Sequence, residues 1–246
     1  MELDVRHALV LGPGEGEVIT EREARTLQLK AAIDAIAVTE TRYEPGEEGP
    51  EAHVHFRHAD AFYVLEGAML YELGPDREAL QAPAGTFIGA PPGLVHSFRN
   101  EGLARARFLN FHAPSERFHD YLRASYAGDD TSWFDQYDAP ADGGRPLSDA
   151  VVARSDESKS IEVAGMLSFG ETTVEPGYAG SLRVEMNRPV VVLLYVLEGT
   201  LSLREDGAAI QAPPGAFALF PPGFDHTVEN RSGEPVRVLN LRAPAG

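Results

Sequence analysis

Two histidines and an aspartate in one short segment have types and spacing that suit a metal site. His53 and His55 lie two residues apart in GPEAHVHFRHADAFYVLEG, residues 49–67, so on an extended strand both imidazoles point to the same face. Asp60 lies two and four residues before the apolar side chains of Phe62 and Val64, so on a strand all three face the same side, and Asp60 is expected to face the same interior as the two histidines. A single histidine is more often a solvated or satisfied core residue, so it is the whole set that indicates a metal site.

A third imidazole comes from a second segment, GTFIGAPPGLVHSFRN, at residues 85–100. His96 follows the turn formed by Pro91, Pro92 and Gly93, which allows another strand to bring it toward the first two histidines. Three imidazoles and one carboxylate suit first-row divalent metals, but the ligand types do not select among iron, manganese, nickel, copper, cobalt and zinc. The predicted ligands of one divalent transition metal are therefore His53, His55, Asp60 and His96.

These segments resemble the two motifs of the cupin superfamily in their order and nearly in their spacing. The first segment departs from the family pattern in two ways: Gly49 lies closer to His53 than usual, and Asp60 stands where the family has a glutamate. The second segment matches the pattern at each of its positions, which are Gly85, Pro91, Gly93, His96 and Asn100.

The chain also repeats itself at an offset near 130 residues, which predicts a tandem duplication. The fold class expected is all-β, with two tandem cupin barrels (double-stranded β-helix, or jelly-roll) and a connecting helix. The expected domains are a barrel with the metal site at 1–113, a helix and loop at 114–147, and a second barrel with a degenerate site at 148–246. The clearest repeats are YVLEG at 63–67 and 195–199, QAPAG and QAPPG at 81–85 and 211–215, and the PPG turns at 91–93 and 221–223.

The second copy keeps one imidazole of the predicted ligand set, that of His226. Glu185, Asn187 and Val192 stand at the other three ligand positions. One imidazole with one carboxylate is too small a set for a tight metal site. The second barrel is therefore expected to be structural or to bind an organic ligand without metal, with a weak site at Glu185, Asn187 and His226 as the alternative.

The segment between the copies predicts a helix and an anchored loop. ERFHDYLRASY, after Pro114 and Ser115, is a capped amphipathic pattern with its large apolar side chains on one side. Residues 128–146 are polar but carry Trp133 and Phe134, so we expect this stretch to pack against a barrel; a lid over the first barrel is the alternative. Three other histidines stay outside the predicted site: a solvated His58, a surface His119 on the helix, and His112, for which a cavity position stays open.

Length and charge limit the functional classes. The 246 residues have a net charge of −17 and no cysteine, which excludes disulfides and thiolate ligands and disfavours binding to nucleic acid or anionic membranes. No apolar run reaches the length of a membrane span, and the N-terminus has no secretory signal pattern. The expectation is a cytoplasmic protein, a monomer or homodimer, whose partner is a small-molecule substrate.

Within the cupins, the chain resembles small two-barrel proteins of the quercetinase-like and pirin-like kind. That likeness implies a metal-dependent dioxygenase acting on an aromatic or hydrophobic enol, with Asp60 as the residue that takes the substrate proton. Two alternatives stay open: a metal-dependent isomerase or lyase, and a non-enzymatic small-molecule binding protein. The cavity wall is expected to be apolar, formed by Phe62, Val64, Phe87, Ile88 and Phe98.

Overall fold

The computed structural model describes residues 8–141, 144–154, 160–181, 189–205, 208–223 and 227–245. These residues form two compact units built almost entirely from β-strands. The predicted all-β fold of two tandem jelly-roll barrels is confirmed. Within the described residues, no helix has the length and apolar character needed to cross a bilayer.

Up to Arg154, the described residues form two helices and thirteen strands. The helices are α1 (Phe118–Ala127) and a 3-10 turn at Leu147–Asp149. The strands are β1 (Leu9–Leu11), β2 (Glu17–Glu21), β3 (Arg25–Ile33), β4 (Ile36–Tyr43), β5 (His53–Val54), β6 (Ala59–Glu66), β7 (Ala68–Leu73), β8 (Glu78–Pro83), β9 (Thr86–Ala90), β10 (His96–Arg99), β11 (Ala106–Ala113), β12 (Tyr137–Asp138) and β13 (Val151–Arg154).

The described residues from Ile161 onward form nine further strands. They are β14 (Ile161–Val163), β15 (Leu167–Val174), β16 (Ala179–Gly180), β17 (Val190–Glu198), β18 (Leu201–Glu205), β19 (Ala208–Ala212), β20 (Phe217–Phe220), β21 (Thr227–Glu229) and β22 (Val236–Pro244).

Each unit is made from two antiparallel sheets. In the first unit these have the strand orders β13-β9-β6-β11-β4-β3-β2 and β12-β5-β10-β7-β8. In the second they have the orders β1-β20-β17-β22-β15-β14 and β16-β21-β18-β19. Inward side chains of both sheets bury one another, as alternation along each strand requires. The first unit's two sheets carry three of the predicted metal ligands, His53, Asp60 and His96, and His55 directly follows β5.

Two edge strands pair across the copies of the repeat. β1 pairs with β20 of the second copy, Leu9 opposite Leu219, and β13 pairs with β9 of the first copy, Val152 opposite Ile88. The unit boundaries therefore differ from the predicted limits at 113 and 148. A repeat pattern looks the same whichever copy such a strand joins, so the sequence alone does not reveal this pairing.

The connecting helix forms as predicted but begins later. α1 starts at Phe118, because Arg117 at its N-cap is left-handed (φ 63°) and gives no side-chain cap. Gly128, also left-handed at φ 80°, ends the helix, which is the common role of glycine at this position. Phe118 and Leu122 are buried, so the apolar side of the helix faces the first barrel.

Gly67, between β6 and β7, provides a test of the barrel. Its φ is +72°, and a Cβ there would lie 2.3 Å from the Arg105 carbonyl oxygen. We expect Gly67→Ala to lower the free energy of unfolding by about 3 kcal/mol or more, since it adds backbone strain to a clash. Gly46→Ala is the matched control, because its φ is +81° with nothing within 4 Å, and it should cost about 1–2 kcal/mol. Urea unfolding measures both; equal losses would contradict the clash.

Candidate metal centre

Three strands of the first unit position the predicted ligands. His53 on β5 is directly opposite His96 on β10, and their ring centroids are 4.3 Å apart. Asp60 is the second residue of β6, opposite Ala90 of β9 and His112 of β11. The ligands from two sheets thus meet inside the barrel.

The structure brings all four predicted residues together. One ligand atom from each of His53, His55, Asp60 and His96 lies within 4.8 Å of the others, and all four side chains are buried. The Asp60 Oδ2 atom is 3.1 Å from His96 Nε2 and 3.8 Å from His55 Nε2. These separations are close to those of two ligands that share one ion at about 2.1 Å.

Backbone carbonyls fix the orientation of the three imidazoles. In each ring Nδ1 is the atom that contacts a carbonyl, so Nδ1–H donates and the Nε2 lone pair faces the centre. The accepting oxygens, for His53, His55 and His96 in that order, belong to Glu51 at 2.8 Å, Asp135 at 2.5 Å and Leu94 at 3.0 Å.

The Nε2 atom of His55 tests whether the centre suits a cation. It is buried and has no hydrogen-bond partner, because 3.8 Å to Asp60 is too long for a hydrogen bond. A buried polar atom without a partner costs about 1–3 kcal/mol. A cation between the imidazoles and the carboxylate would remove that cost, so the residues present fit a divalent metal.

The charge states also suit a metal. Burial lowers the pKa of His53 to about 2, and the neighbouring His96 acts in the same direction, so His53 is neutral, as a metal ligand must be. Burial alone would raise the pKa of Asp60, but the neighbouring His112 and the contact with His96 outweigh it and hold that pKa well below its usual value. The centre therefore offers a neutral imidazole and an ionised carboxylate.

A second set of polar residues stands behind the centre. His58, expected to be solvated, is fully buried, and its Nδ1–H donates to Asp135 Oδ2 at 3.0 Å. His112 Nδ1 lies 2.9 Å from His58 Nε2, and His112 Nε2 lies 3.1 Å from Asn110 Oδ1. Asn110 in turn donates from Nδ2 to Asp60 Oδ1. A continuous chain of polar contacts thus joins Asp135 to the predicted ligand Asp60.

The contact between His58 and His112 is sensitive to one proton. With His58 Nδ1–H given to Asp135, a neutral His112 can donate either to His58 Nε2 or to Asn110, not to both. Burial lowers the pKa of both imidazoles, while the carboxylates at the two ends of the chain favour an added proton. The lowered pKa of both rings means that burial outweighs the carboxylates, so the pair is neutral and one of its two contacts lacks a hydrogen. Together with His55, the same two histidines form a second group whose atoms lie within 4.8 Å.

Asp135 was missed by the sequence prediction and holds the site in two ways. Its carbonyl accepts from His55, and its carboxylate Oδ2 accepts from the backbone N–H groups of Phe56 at 3.1 Å and Arg57 at 2.7 Å. Asp135 is buried beside the buried Phe134, so the connecting loop is anchored as predicted. An acidic residue next to an aromatic anchor was the only sequence signal.

A cavity of about 410 Å³ opens beside the predicted ligands. Of the five side chains predicted to form its wall, only Phe98 lines it. Phe62, Val64 and Ile88 pack instead into the barrel core. The observed wall comes from β3, β4, β10 and α1, and its apolar members are Leu27, Tyr43, Phe98, Phe118, Tyr121, Leu122 and Tyr126.

The structure also gives the positions of the other two histidines left outside the predicted site. His112 lines the cavity, stacks on Phe118 with ring centroids 3.5 Å apart, and comes within 3.5 Å of Asp60. His119 is half-buried, with 17% of its side chain exposed, and does not line the cavity. The open position of His112 is thus settled by the structure in favour of the cavity.

The second copy is described only in part at the equivalent positions. Val192 is buried in an apolar cluster of the second unit with Leu194 and Val196, so it offers no ligand. Glu185, Asn187 and His226 lie outside the described residues. The absence of a metal from the second barrel stays a prediction.

The sequence matches one family model twice. Residues 39–112 and 170–242 both match the model described as Cupin domain, and the two matches together span more than half of the chain. No curated protein matches the sequence.

Several solved structures share the fold over nearly the whole chain. The protein Ylba from E. coli is 12% identical with a TM-score of 0.68, over 98% of this chain and 92% of that one. The bacterial pirin YhhW from Escherichia coli, in complex with nickel(II), is 13% identical with a TM-score of 0.66, over 97% and 99%. Oxalate decarboxylase from Bacillus subtilis is 17% identical with a TM-score of 0.61, over 96% and 76%. At these identities the likeness shows the fold alone.

The low pKa of His53 predicts acid sensitivity of the metal-free protein. Below about pH 6.5 the unfolded chain binds a proton at this residue, whereas the folded chain does so only near pH 2. The stability is complete above pH 6.5 and is lost as the pH falls, by about 1.4 kcal/mol per pH unit for this one group. Urea unfolding at pH 7.5, 6 and 5 measures the slope. His53→Gln should reduce the slope of the free energy of unfolding against pH by about 1.4 kcal/mol per pH unit, which corresponds to one proton. An unchanged slope would show that His53 has an ordinary pKa.

Proposed function

Because this chain belongs to the cupin family, we propose that it is an enzyme that depends on one divalent transition metal. The proposed ligands are His53, His55, Asp60 and His96. The single observation that carries this proposal is the convergence of three carbonyl-oriented imidazoles on one carboxylate, with the buried His55 Nε2 atom left without a partner. Iron, manganese, nickel, copper, cobalt and zinc all accept such ligands.

We propose that the reaction is the dioxygenation of a small enol with an aromatic or hydrophobic body. When bound, the metal would supply Lewis acidity to a substrate oxygen and, if redox-active, a path for electrons to dioxygen. The chain's own residues bind and orient the substrate. The aromatic side chains of Phe98, Tyr121 and Tyr126 at the cavity wall suit a flat apolar body.

Asp60 is proposed to take the proton of the substrate hydroxyl. Its low pKa makes it a weak base, so the proton needs a further acceptor. When His112 donates from Nδ1 to His58, its Nε2 is bare and lies 3.5 Å from Asp60 Oδ1. That distance has to shorten for transfer, and since burial lowers the pKa of both His58 and His112, the pair would pass the proton on and not store it. These two histidines thus keep Asp60 available for the next proton.

The same arrangement favours a second candidate, a metal-dependent isomerase or lyase. The observation behind it is that the buried imidazole of His112 lies 3.5 Å from the buried carboxylate of Asp60 at the cavity. Removal of a proton from carbon or oxygen followed by its return needs such a pair of groups and needs no dioxygen.

The metal content of the purified protein tests the proposed ligands. Elemental analysis by mass spectrometry of the purified protein should find about one equivalent of a divalent transition metal. The double variant His53→Ala/His96→Ala should lose it, whereas His119→Ala, which removes a histidine outside the centre, should keep it. Two equivalents would contradict the metal-free second barrel. No metal, even after reconstitution, would contradict the enzyme proposal and favour a binding protein.

Dioxygen consumption separates the two candidate reactions. With flavonols and related enols, the metal-loaded protein should consume dioxygen, and Asp60→Asn should slow this by about 10²-fold or more. His112→Gln should slow it less and shift the pH profile, because it removes the onward acceptor but leaves Asp60. Turnover of the same enols without dioxygen would instead support the isomerase or lyase. The metal content of each variant is the control, since loss of metal would also lower the rate.

A further inference from the structure

We infer that the cavity takes a small organic carboxylate, whose anionic group binds at the cavity mouth between the Arg22 guanidinium and the Tyr126 hydroxyl. The inference deepens the proposed function, on which it rests for the reaction. The carboxylate site itself uses none of the proposed metal ligands.

A tight hairpin places two arginines at the mouth. The N–H of Arg22 donates to the Arg25 carbonyl at 2.7 Å, and the N–H of Arg25 donates to the Arg22 carbonyl at 3.2 Å. Residues that exchange both hydrogen bonds in an antiparallel pair direct their side chains to the same face. Both side chains accordingly line the cavity.

Arg25 is already paired and serves to orient Tyr126. Its guanidinium binds Glu47 at 2.7 Å and the Glu48 carbonyl, and it lies over the Tyr43 ring. It also donates to the Tyr126 hydroxyl oxygen at 3.1 Å. Because that oxygen accepts from Arg25, the hydroxyl proton of Tyr126 is left to donate to a ligand.

Arg22 carries the charge that is not neutralised. Its guanidinium lies over the Tyr126 ring, 5.6 Å from the centroid, and no described residue gives it a carboxylate within ion-pair distance. By contrast, Arg123, which is on the same helix as Tyr126, forms an ion pair with Glu17 at 2.6 Å. In a chain of net charge −17, an exposed arginine without an acidic partner at a cavity mouth favours an external anion.

The charges along the cavity point the same way. Asp60 is the only carboxylate among the described lining residues, and it belongs to the metal centre. A ligand carboxylate would accept charge-assisted hydrogen bonds from Arg22 and Tyr126. Between the mouth and the centre the wall is largely aromatic, so the body of the acid is apolar.

Arg22 has one other role to weigh. Tyr126 is in the last turn of α1, which contains no basic residue, and a cation there also stabilises the negative end of the helix dipole. That role predicts a loss of stability when the charge is removed. It predicts no difference between charged and uncharged ligands.

The test compares 3-phenylpropanoate with its uncharged analogue 3-phenylpropanamide by isothermal titration calorimetry on the full chain, both as purified and after chelation. We expect the acid to bind about tenfold or more tightly than the amide in both preparations. Arg22→Gln should weaken acid binding about tenfold and leave amide binding unchanged, and Tyr126→Phe should weaken it about fivefold. Arg105→Gln, which removes an exposed arginine outside the cavity, should change neither.

Several outcomes would overturn the inference. These are equal affinity for acid and amide, no acid binding at millimolar concentration, or an Arg22→Gln variant that loses thermal stability but keeps the discrimination. Loss of the discrimination on chelation alone would place the carboxylate on the metal instead. The His53→Ala/His96→Ala variant separates this inference from the proposed function. This variant should still bind the acid more tightly than the amide, although it holds no metal. If the unaltered protein also holds no metal but keeps this preference for the acid, the proposed enzyme is contradicted and the carboxylate site remains.

Discussion

The candidate centre depends on three backbone carbonyls that hold three imidazoles by Nδ1. Each of these hydrogen bonds sets the tautomer of its ring, so the Nε2 lone pairs of His53, His55 and His96 converge on Asp60. Lone pairs that face one another in a buried site repel, and burial also opposes protonation of His53. An arrangement of this kind is stabilised by a cation, which satisfies all four ligands at once.

The barrel strands alone do not complete the site, because the connecting loop contributes to it. Asp135 contacts four members of the segment that follows β5, residues 55–58, and reaches the centre by two routes, through His55 directly and through His58 and His112 indirectly. The loop therefore fixes the orientation of one ligand and the surroundings of another. The connection between the two copies of the repeat is part of the candidate metal centre of the first copy.

Alternation along strands and one turn were enough to predict the four converging residues, since those rules act over a few positions. The buried state of His58 was not predictable in this way, because its partner Asp135 lies 77 residues further on. The exchange of β1 and β13 between copies leaves no trace in a repeat pattern. The prediction of the cavity wall was wrong for a related reason. Alternation shows that Phe62 and Val64 point inward, but it does not show that the part of the barrel they point into is filled by the hydrophobic core.

Helix α1 sets the length of the ligand that the cavity can hold. Phe118, at its first turn, stacks on His112 beside the centre, whereas Tyr126, eight residues later, stands at the mouth with Arg22. Eight residues of α-helix rise about 12 Å. A ligand that reaches from the centre to the mouth therefore spans on the order of 10 Å, several bonds longer than the smallest dicarboxylic acids. The helix is thus the element that links the candidate metal centre to the proposed carboxylate site at the mouth.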